Sequence, residues 1–518
     1  MNKGSGWIRR LPDAKWVLLS CAFMLGCASA PERSGINAHY VAGTSPAGYF
    51  KDLDVELRAT GDRLGTGVRL LASGVDAVAA RVDLIRKAQH TLDVQYYLFH
   101  GDATGILLFR ELWMAAERGV KVRLLLDDLE QRAGDYPLNI LNSHANIEVR
   151  LYNPFYWRRA RAWQLLGEFS RLNHRMHNKS LTADNLASVV GGRNVGDEYF
   201  SANQSVNFGD ADVFLIGDSV PAVTGQFDDY WNSDLVYPLS VLNSEPPAPD
   251  LIKRAGAEID AAVAQLNAIE YLQVVNAQDW LGSIRRGERA LYWAPVDVWS
   301  DTPDLQLFKQ KDSSNALVVN RLWQLFENAE SELFLISPYF VPAQAGTQLL
   351  TGRAQEGVTV SVVTNALAAT DVVAVHSGYA QSREALLAAG TEIFEIKRTP
   401  NTERKVWSVS STSSLHAKVF VVDRRWVFVG SFNLDPRSAW LNTEMGVLID
   451  SPELAEAVLT GTRQLLNDTS YQVSLNDEGE LYWRDLHSGQ TFSKEPNASW
   501  WRRAMSSILS FLPIESQL

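Results

Sequence analysis

The chain contains one sequence pattern twice, and this repeat constrains its fold more than any other feature. The stretch MHNKSLTADNLASVVGGRN at 176–194 matches LHAKVFVVDRRWVFVGSFN at 415–433, and the two copies start 239 residues apart. Two further pairs of segments recur at nearly the same separation: 88–99 with 329–340, and 115–128 with 353–366. Chance similarities would not keep a constant spacing over three blocks, so the sequence predicts a duplicated unit.

Each copy predicts an α/β unit. Apolar strand patterns follow helix ends, and in each half a helix closes at a glycine, Gly119 or Gly357, before the next strand begins. A half therefore has the order strand, helix, strand, long connection, and then a strand pair that carries the motif. We expect two pseudo-symmetric halves, each a mixed β-sheet flanked by helices.

The 518 residues exceed what one ordinary core accommodates, and composition divides the chain further. A small, polar, Pro- and Gly-containing stretch follows the N-terminus, and a region richer in Pro and Asp separates the copies. The predicted parts are a signal peptide (1–26), a tether (27–60), the first half (61–240), a linker or insertion (241–314), the second half (315–465) and a C-terminal extension with an amphipathic helix (466–518).

The N-terminus has the pattern of a lipoprotein signal. Four Lys or Arg residues precede or enter a short apolar run that ends in MLGC, and this run is too short for an easy membrane span. The pattern predicts that Cys27 becomes the lipidated N-terminus of a periplasm-facing, membrane-anchored protein of the cell envelope. Ala28 after the cysteine favours the outer membrane over the inner one. A plain signal peptide and a retained signal anchor are the alternatives.

The repeated motif brings together residue types that suit phosphoryl transfer. A neutral imidazole attacks phosphorus, a protonated one gives a proton to the leaving alkoxide, and lysine offsets charge on the phosphate oxygens. Alternation along a strand places each histidine and its lysine on one face. The aspartates fall near the following turn, so we interpret them as scaffold residues within the motif. The two sets are His177, Lys179, Asp184, Gly192 and Asn194, and His416, Lys418, Asp423, Ser431 and Asn433.

This paired His-x-Lys-x4-Asp signature resembles that of the phospholipase D superfamily. The resemblance implies one active site shared by both copies, a phosphohistidine intermediate on one histidine, and acid–base work by the other. It implies no metal and no other cofactor. It also implies an acidic residue downstream of each motif that orients its histidine, which gives Asp210 and Glu444, with Asp212 as the fallback for Asp210. Gly192 replaces Ser431 in the first copy, so one hydroxyl is missing there.

Within the superfamily, stretches such as LDVQYYLF, SPYFVP and GSFNLDPRSAWLNTEMG look most like those of bacterial cardiolipin synthases of the C type. This implies transfer of a phosphatidyl group to a lipid alcohol, with phosphatidylglycerol as acceptor and phosphatidylethanolamine or phosphatidylglycerol as donor. We predict that His177 attacks and His416 acts as acid. Hydrolysis to phosphatidic acid remains an alternative. A nuclease or phosphodiesterase is less favoured, because a net charge of −12 and an export signal argue against a nucleic-acid partner.

Two segments are candidates for contact with a membrane surface. The tail from Ser499 places Trp501, Met505, Ile508, Leu509 and Leu512 on one helical face beside two arginines. The stretch 154–172 also mixes Trp with Arg shortly before His177. A helix packed on the core and an ordinary amphipathic connector are the respective alternatives. The sequence gives no indication of the oligomeric state.

Overall fold

The computed structural model describes residues 30–511, except for 34–35, 42, 44–45, 60, 62, 130–134, 204–206, 243–248, 267–269, 305–317 and 399–412. The predicted signal peptide, Cys27 and Leu512 therefore lie outside the described residues, and their assignments stay predictions.

The described residues form helices α1–α17 and strands β1–β23. The helices are α1 (Tyr49–Arg58), α2 (Gly74–Lys87), α3 (Ala103–Glu117), α4 (Asp135–Asn142), α5 (Arg161–Gly167), α6 (Phe169–Leu172), α7 (Val220–Trp231), α8 (Leu239–Leu242), α9 (Pro249–Leu266), α10 (Glu270–Asn276), α11 (Trp280–Arg285), α12 (Val318–Glu327), α13 (Ala343–Gln355), α14 (Val373–Ala388), α15 (Pro436–Trp440), α16 (Pro452–Thr469) and α17 (Trp500–Leu509).

The strands of the first half are β1 (Thr66–Leu71), β2 (Thr91–Tyr96), β3 (Lys121–Asp127), β4 (Ile147–Tyr152), β5 (Arg175–Met176), β6 (Ser180–Ala183), β7 (Ala187–Gly191), β8 (Asn207–Gly209), β9 (Asp212–Gly217), β10 (Val236–Pro238) and β11 (Tyr292–Ala294). Those that follow are β12 (Val296–Ser300), β13 (Glu332–Ile336), β14 (Thr359–Asn365), β15 (Glu392–Ile396), β16 (Ser413–Leu415), β17 (Val419–Val422), β18 (Trp426–Gly430), β19 (Asn442–Thr443), β20 (Met445–Asp450), β21 (Ser470–Leu475), β22 (Leu481–Asp485) and β23 (Thr491–Phe492).

The two large sheets share one strand order, which confirms the predicted duplication into two mixed α/β halves. The first sheet has the order β10-β4-β3-β2-β6-β7-β9-β1-β11, and the second has the order β12-β20-β18-β17-β13-β14-β15-β21-β22-β23. Strands β4-β3-β2-β6-β7-β9-β1 thus match β15-β14-β13-β17-β18-β20-β12. In both sheets the first three of these strands are parallel, and the remaining neighbours are antiparallel.

The central strands are buried on both faces, because helices cover one side of a sheet and the other sheet covers the opposite side. In β3 and in β14 only the first residue is exposed and the following six are buried. A continuous apolar run is typical of such doubly covered strands. Between the sheets, Val190 and Val213 of the first half share an apolar core with Val429 and Val447 of the second.

The segment predicted to be a linker or insertion is partly built into both sheets, which differs from the expectation for 241–314. Strand β11 pairs with β1, and β12 pairs with β20, so the chain passes from one sheet to the other across Pro295. Both strands are short edge strands, and their pattern is too brief to stand out in the sequence. In the C-terminal extension, β21 pairs with β15 and extends the second sheet.

Among the described residues, none of the helices has both the length and the apolar character that crossing a bilayer requires.

Candidate active site

Two short parallel strand pairs connect the halves and bring the motifs together. Strand β5 pairs with β19, and the backbone N–H of the following His177 donates to the carbonyl of Thr443 at 2.8 Å. Strand β16 pairs with β8, and the N–H of the following His416 donates to the carbonyl of Gly209 at 2.7 Å. Each histidine therefore follows a strand of its own half and lies beside a strand of the other half.

Each histidine contacts a buried carboxylate. His177 Nδ1 lies 2.9 Å from Glu444 Oε2 and 3.1 Å from Oε1, and His416 Nδ1 lies 2.6 Å from Asp210 Oδ2. The structure thus brings the predicted orienting residues to the histidines, but the pairing is crossed. The expectation that each carboxylate serves the histidine of its own half is wrong, because β19 and β8 place Glu444 and Asp210 across the boundary. Because a carboxylate occupies Nδ1 of each ring, Nε2 is the ring nitrogen that points away from the carboxylate.

The difference between Gly192 and Ser431 follows from where the carboxylates of Asp210 and Glu444 lie. A Cβ atom at Gly192 would lie 2.4 Å from Asp210 Oδ1, so a serine there would displace that carboxylate. At the equivalent place, the hydroxyl of Ser431 donates to Glu444 Oε2. The missing hydroxyl of the first copy is therefore a steric consequence of the position of the Asp210 carboxylate.

Both motif lysines are buried beside their histidines. Each Nζ donates to the backbone carbonyl of the histidine two residues earlier, and Lys418 Nζ also lies 3.0 Å and 3.2 Å from the two ring nitrogens of His416. Burial, together with the second lysine nearby, lowers the pKa of Lys179 to about 7, and burial lowers the pKa of Lys418 to about 8. An anionic ligand between them would therefore favour the charged form of both lysines.

The two imidazoles differ in their electrostatic surroundings. Burial, followed by the charges of Lys179 and Lys418, holds the pKa of His177 well below its usual value. Burial and Lys418 also lower the pKa of His416, but the neighbouring Asp210 opposes that shift. Burial raises the pKa of Glu444 to about 7. For Asp210, burial acts upward but is outweighed by His416, Lys418 and Arg193, so its pKa is lowered. His177 is therefore the more readily neutral imidazole.

The two motif asparagines contribute buried amides. Asn194 Oδ1 accepts from the backbone N–H of Leu98 at 3.2 Å. Asn433 Oδ1 is buried and has no hydrogen-bond partner among the described residues. Because buried polar atoms normally have partners, this amide oxygen marks a place where a ligand is expected to bond.

The motif aspartates lie at hairpin turns rather than at the histidines, although the motif counts them with the catalytic set. Asp184 accepts backbone N–H groups at the start of β2, and Asp423 does the same at the start of β13. Both have a φ of 53°, the left-handed conformation that a tight hairpin turn requires. The structure therefore gives them a scaffold position, as their place in the sequence pattern suggests.

The fallback carboxylate, Asp212, does not contact a histidine. It forms ion pairs with Arg81 at 2.9 Å and with Arg193 at 3.3 Å in the core of the first half. The assignment of Asp212 as an alternative to Asp210 is therefore wrong, because β9 directs its side chain toward these arginines.

Several residues near the site were not predicted. The rings of Tyr97 and Tyr199 meet His177 and His416 edge-on at 5.1 Å and 5.3 Å. Asp301 accepts from the backbone N–H of Glu444 at 2.8 Å and so fixes the backbone between β19 and β20, where this acid lies. Tyr97 directly follows a recognisable strand and Tyr199 lies shortly after the first motif, but nothing in the sequence around Asp301 indicates a role, because it lies in the predicted linker.

Comparison with known proteins identifies relatives along most of the chain. The family model described as "Cardiolipin synthase, PLD-like domain" matches residues 82–231 and 322–465. Cardiolipin synthase C of Escherichia coli (strain K12) is 40% identical over 457 residues, which is 87% of this chain and 95% of that protein. An uncharacterised protein of Helicobacter pylori (strain J99) is 31% identical over 420 residues, 80% of this chain and 79% of that protein.

Among solved structures, phosphatidylserine synthase of Haemophilus influenzae superposes with a TM-score of 0.54 at 14% identity. The superposition covers 82% of this chain and 92% of that one, and at this identity it reports on the fold alone.

Proposed function

Because the chain belongs to the phospholipase D-like cardiolipin synthase family, we propose that it is a membrane-associated phosphatidyltransferase that makes cardiolipin. One observation carries the proposal. His177 and His416, each with a carboxylate from the other half at Nδ1, occupy one buried site with two lysines. This arrangement suits double displacement at a single phosphate diester.

In the first step, Nε2 of neutral His177 attacks the phosphorus of the donor phospholipid. The bond from phosphorus to the leaving alkoxide breaks, and His416 in its imidazolium form gives its proton to that alkoxide. Glu444 accepts the Nδ1–H of His177 and stabilises the positive charge that develops on the ring. Lys179 and Lys418 stabilise the charge on the non-bridging oxygens. The product is a phosphatidyl group on His177.

In the second step, His416, now neutral, takes the proton of the acceptor hydroxyl. The acceptor oxygen attacks phosphorus, the bond to His177 breaks, and both histidines return to their starting forms. Asp210 supports this alternation, because it stabilises the imidazolium of His416 through Nδ1. The acceptor determines the product, since a lipid alcohol gives a phosphatidyl lipid and water gives phosphatidic acid.

We propose phosphatidylglycerol as the acceptor and phosphatidylethanolamine or phosphatidylglycerol as the donor. Cardiolipin consists of two phosphatidyl groups on one glycerol, so a phosphatidyl group placed on phosphatidylglycerol gives this product directly. The relationship to cardiolipin synthase C supports this choice.

The surface beside the site supports association with a membrane. Helix α17 docks on the protein through polar groups, since Arg502 donates to the carbonyl of Leu367 at 3.0 Å and Ser506 is buried. Its aromatic side faces outward, with Trp500 72% and Trp501 58% exposed. Leu367 lies in the loop that follows β14. Further along this loop, Asp371 accepts from the hydroxyl of Tyr339, which lies near Tyr199 and Asp435 beside the site. Tryptophan beside arginine is typical of the headgroup region of a bilayer.

A second exposed apolar surface lies on α5 and α6, in the stretch that precedes His177. Trp163, Leu166 and Phe169 are 72%, 77% and 54% exposed. We propose that this surface and α17 rest on the bilayer, that Cys27 carries a lipid anchor, and that the protein faces the periplasm, preferably at the outer membrane. The basic and apolar N-terminal pattern supports the anchor.

The proposal is tested with purified full-length protein in vesicles of phosphatidylethanolamine and phosphatidylglycerol, with products identified by mass spectrometry. We expect cardiolipin to form, and we expect His177→Ala and His416→Ala each to abolish its formation. Phosphatidic acid as the sole product would replace transfer by hydrolysis. Cleavage of nucleic acid without any change in the lipids would reject the lipid substrate altogether.

A further inference from the structure

The second half contains an apolar cavity of about 390 Å³ beside the active site. Helices α12, α13 and α15 form its walls, together with the segments that follow β13 and β18. Asp435 is the only charged residue among those lining it, and most of the others are aliphatic or aromatic. A cavity of this size and lining falls within the range of small-molecule sites.

The first half provides an internal comparison, because several positions equivalent to the cavity lining carry larger or charged side chains there. The isolated bridges Phe99–Val195 and Phe340–Leu434 fix the correspondence between the halves. In the first half, the buried guanidinium of Arg81 lies 5.3 Å from the centre of the Phe200 ring.

Arg81 also bonds to Tyr96 and Asp212 in the first half, and Arg193 joins the same buried network. The residues at the equivalent positions of the second half are smaller or apolar. Leu322 replaces Arg81, Phe432 replaces Arg193, Gly446 replaces Asp212, and Ala439 replaces Phe200. The fold therefore does not require the cavity, which results from side chains particular to the second half. An apolar cavity that opens toward solvent favours an apolar occupant, because binding removes its aliphatic and aromatic walls from water.

One end of the cavity adjoins the catalytic groups. Asp435 lines the cavity, and its carboxylate lies close enough to Lys418 and Glu444 to act on both electrostatically. Asp435 comes two residues after Asn433, whose buried amide oxygen has no hydrogen-bond partner among the described residues. Trp440, also in the lining, is 51% exposed and marks the direction of solvent. A ligand whose phosphate lies between the histidines could therefore extend an apolar tail into this space.

We infer that the cavity binds one acyl chain of a substrate phospholipid while its phosphate occupies the histidine site. This inference rests on the proposed function, because it requires a lipid substrate. An acyl chain is uncharged, long and flexible, and it needs only the apolar walls that Leu322, Phe326 and Leu350 provide. The bound acyl chain would hold the phosphorus atom of the substrate next to Nε2 of His177.

The first test compares donors of different chain length. Ala439→Phe introduces the ring that Phe200 supplies in the first half, and Ala457→Phe makes the same change at an exposed position of α16. We measure kcat/KM with dioleoyl and with dihexanoyl phosphatidylglycerol. We expect Ala439→Phe to lower the ratio of long-chain to short-chain kcat/KM at least tenfold, and Ala457→Phe to change it less than twofold. An unchanged ratio in folded Ala439→Phe would overturn the inference.

The second test does not depend on turnover or on the stability of the Ala439→Phe variant. Full-length His177→Ala protein is irradiated with phosphatidylglycerol that carries a diazirine at the end of one acyl chain, and labelled peptides are identified by mass spectrometry. Label within α12, α13 or α15 supports the site, and label only elsewhere, including 305–317, overturns it. Label there in a protein whose wild-type form transfers no phosphatidyl group would retain the cavity and reject the proposed function.

Discussion

At the scale of single residues, the two histidines are equivalent by position but not by environment. The pKa of His177 is held well below its usual value by burial and by two lysines, whereas Asp210 opposes the lowering at His416. A nucleophile must be neutral and an acid must be protonated. This asymmetry agrees with the prediction that His177 attacks and His416 supplies the proton.

The roles predict opposite responses to an activated donor. Phosphatidyl-p-nitrophenol releases a phenolate that needs no proton, so His416→Ala should still complete the first step. We expect a burst of about one equivalent of p-nitrophenolate and a phosphatidyl group on His177, detected by mass spectrometry. His177→Ala should give no burst. A burst in His177→Ala with label on His416 would reverse the assignment.

The lysines predict how activity depends on pH. With pKa values lowered to about 7 for Lys179 and about 8 for Lys418, each loses its charge as the pH rises through that value. Since kcat/KM reports the free enzyme, we expect it to fall between about pH 7 and pH 8 as the charges that bind the phosphate disappear. Arginine stays protonated over this range, so Lys418→Arg should remove the part of the fall near pH 8 and leave the part near pH 7 that Lys179 causes. A pH profile identical to that of the wild type would show that Lys418 does not contribute to the pH dependence of kcat/KM.

At the scale of elements, the hairpin turns that join β6 to β7 and β17 to β18 are tied to the sheet by the motif aspartates. Asp423 accepts from the backbone N–H groups of Glu330, Ser331 and Glu332 at 2.7–3.1 Å. Burial acts to raise its pKa, but these three N–H donors outweigh burial and lower it. The turn thereby holds the start of β13 in register with the strand that follows His416.

Asp423→Asn is therefore expected to reduce stability and not catalysis. We expect a loss of about 1–2 kcal/mol in the free energy of unfolding, measured by urea denaturation, with kcat per folded molecule within twofold of wild type. A carboxylate with a depressed pKa stabilises the fold above its unfolded pKa of about 4 and loses this effect as the pH falls through its folded pKa. The difference between variant and wild type should therefore shrink near pH 3. A large loss of kcat without loss of stability would make Asp423 catalytic.

At the scale of the whole molecule, the halves differ in what they add to the shared site. The first half fills its interior with the ion pairs of Arg81, Arg193 and Asp212, and the second half leaves an apolar cavity at the same place. The second half also carries α17, whose tryptophans face outward. A duplicated fold thus supplies symmetric chemistry and an asymmetric environment for the lipid.

The exposed surface of α17 predicts membrane affinity beyond that of a lipid anchor. In a Cys27→Ser background, which removes the proposed anchor, Trp500→Ser with Trp501→Ser should weaken partitioning into vesicles of phosphatidylethanolamine and phosphatidylglycerol at least tenfold. Burying even part of a tryptophan side chain in the headgroup region is worth about 1–3 kcal/mol. The control replaces Val55 and Leu64, also exposed but in and after α1, and should change partitioning less than twofold. Equal effects of the two pairs would reject α17 as the contact surface.

The amino-acid sequence was sufficient to predict the duplication, the mixed α/β halves and the identity of the residues in the two motifs. These depend on short-range spacing along a strand and on a register that recurs after 239 residues, both of which are written directly in the chain. It also supplied Asp210 and Glu444, through the resemblance of the segments that contain them.

The folded structure was needed to show which carboxylate serves which histidine, because the crossed pairing arises from the strand pairs β5–β19 and β8–β16 between the halves. It also decided that β11 and β12 join different sheets, since short edge strands have little pattern of their own. The cavity could not be predicted from the sequence either, because its walls come from several side chains that meet only after the helices pack. Contacts between distant segments carry no spacing signal, and these contacts determined the geometry of the site.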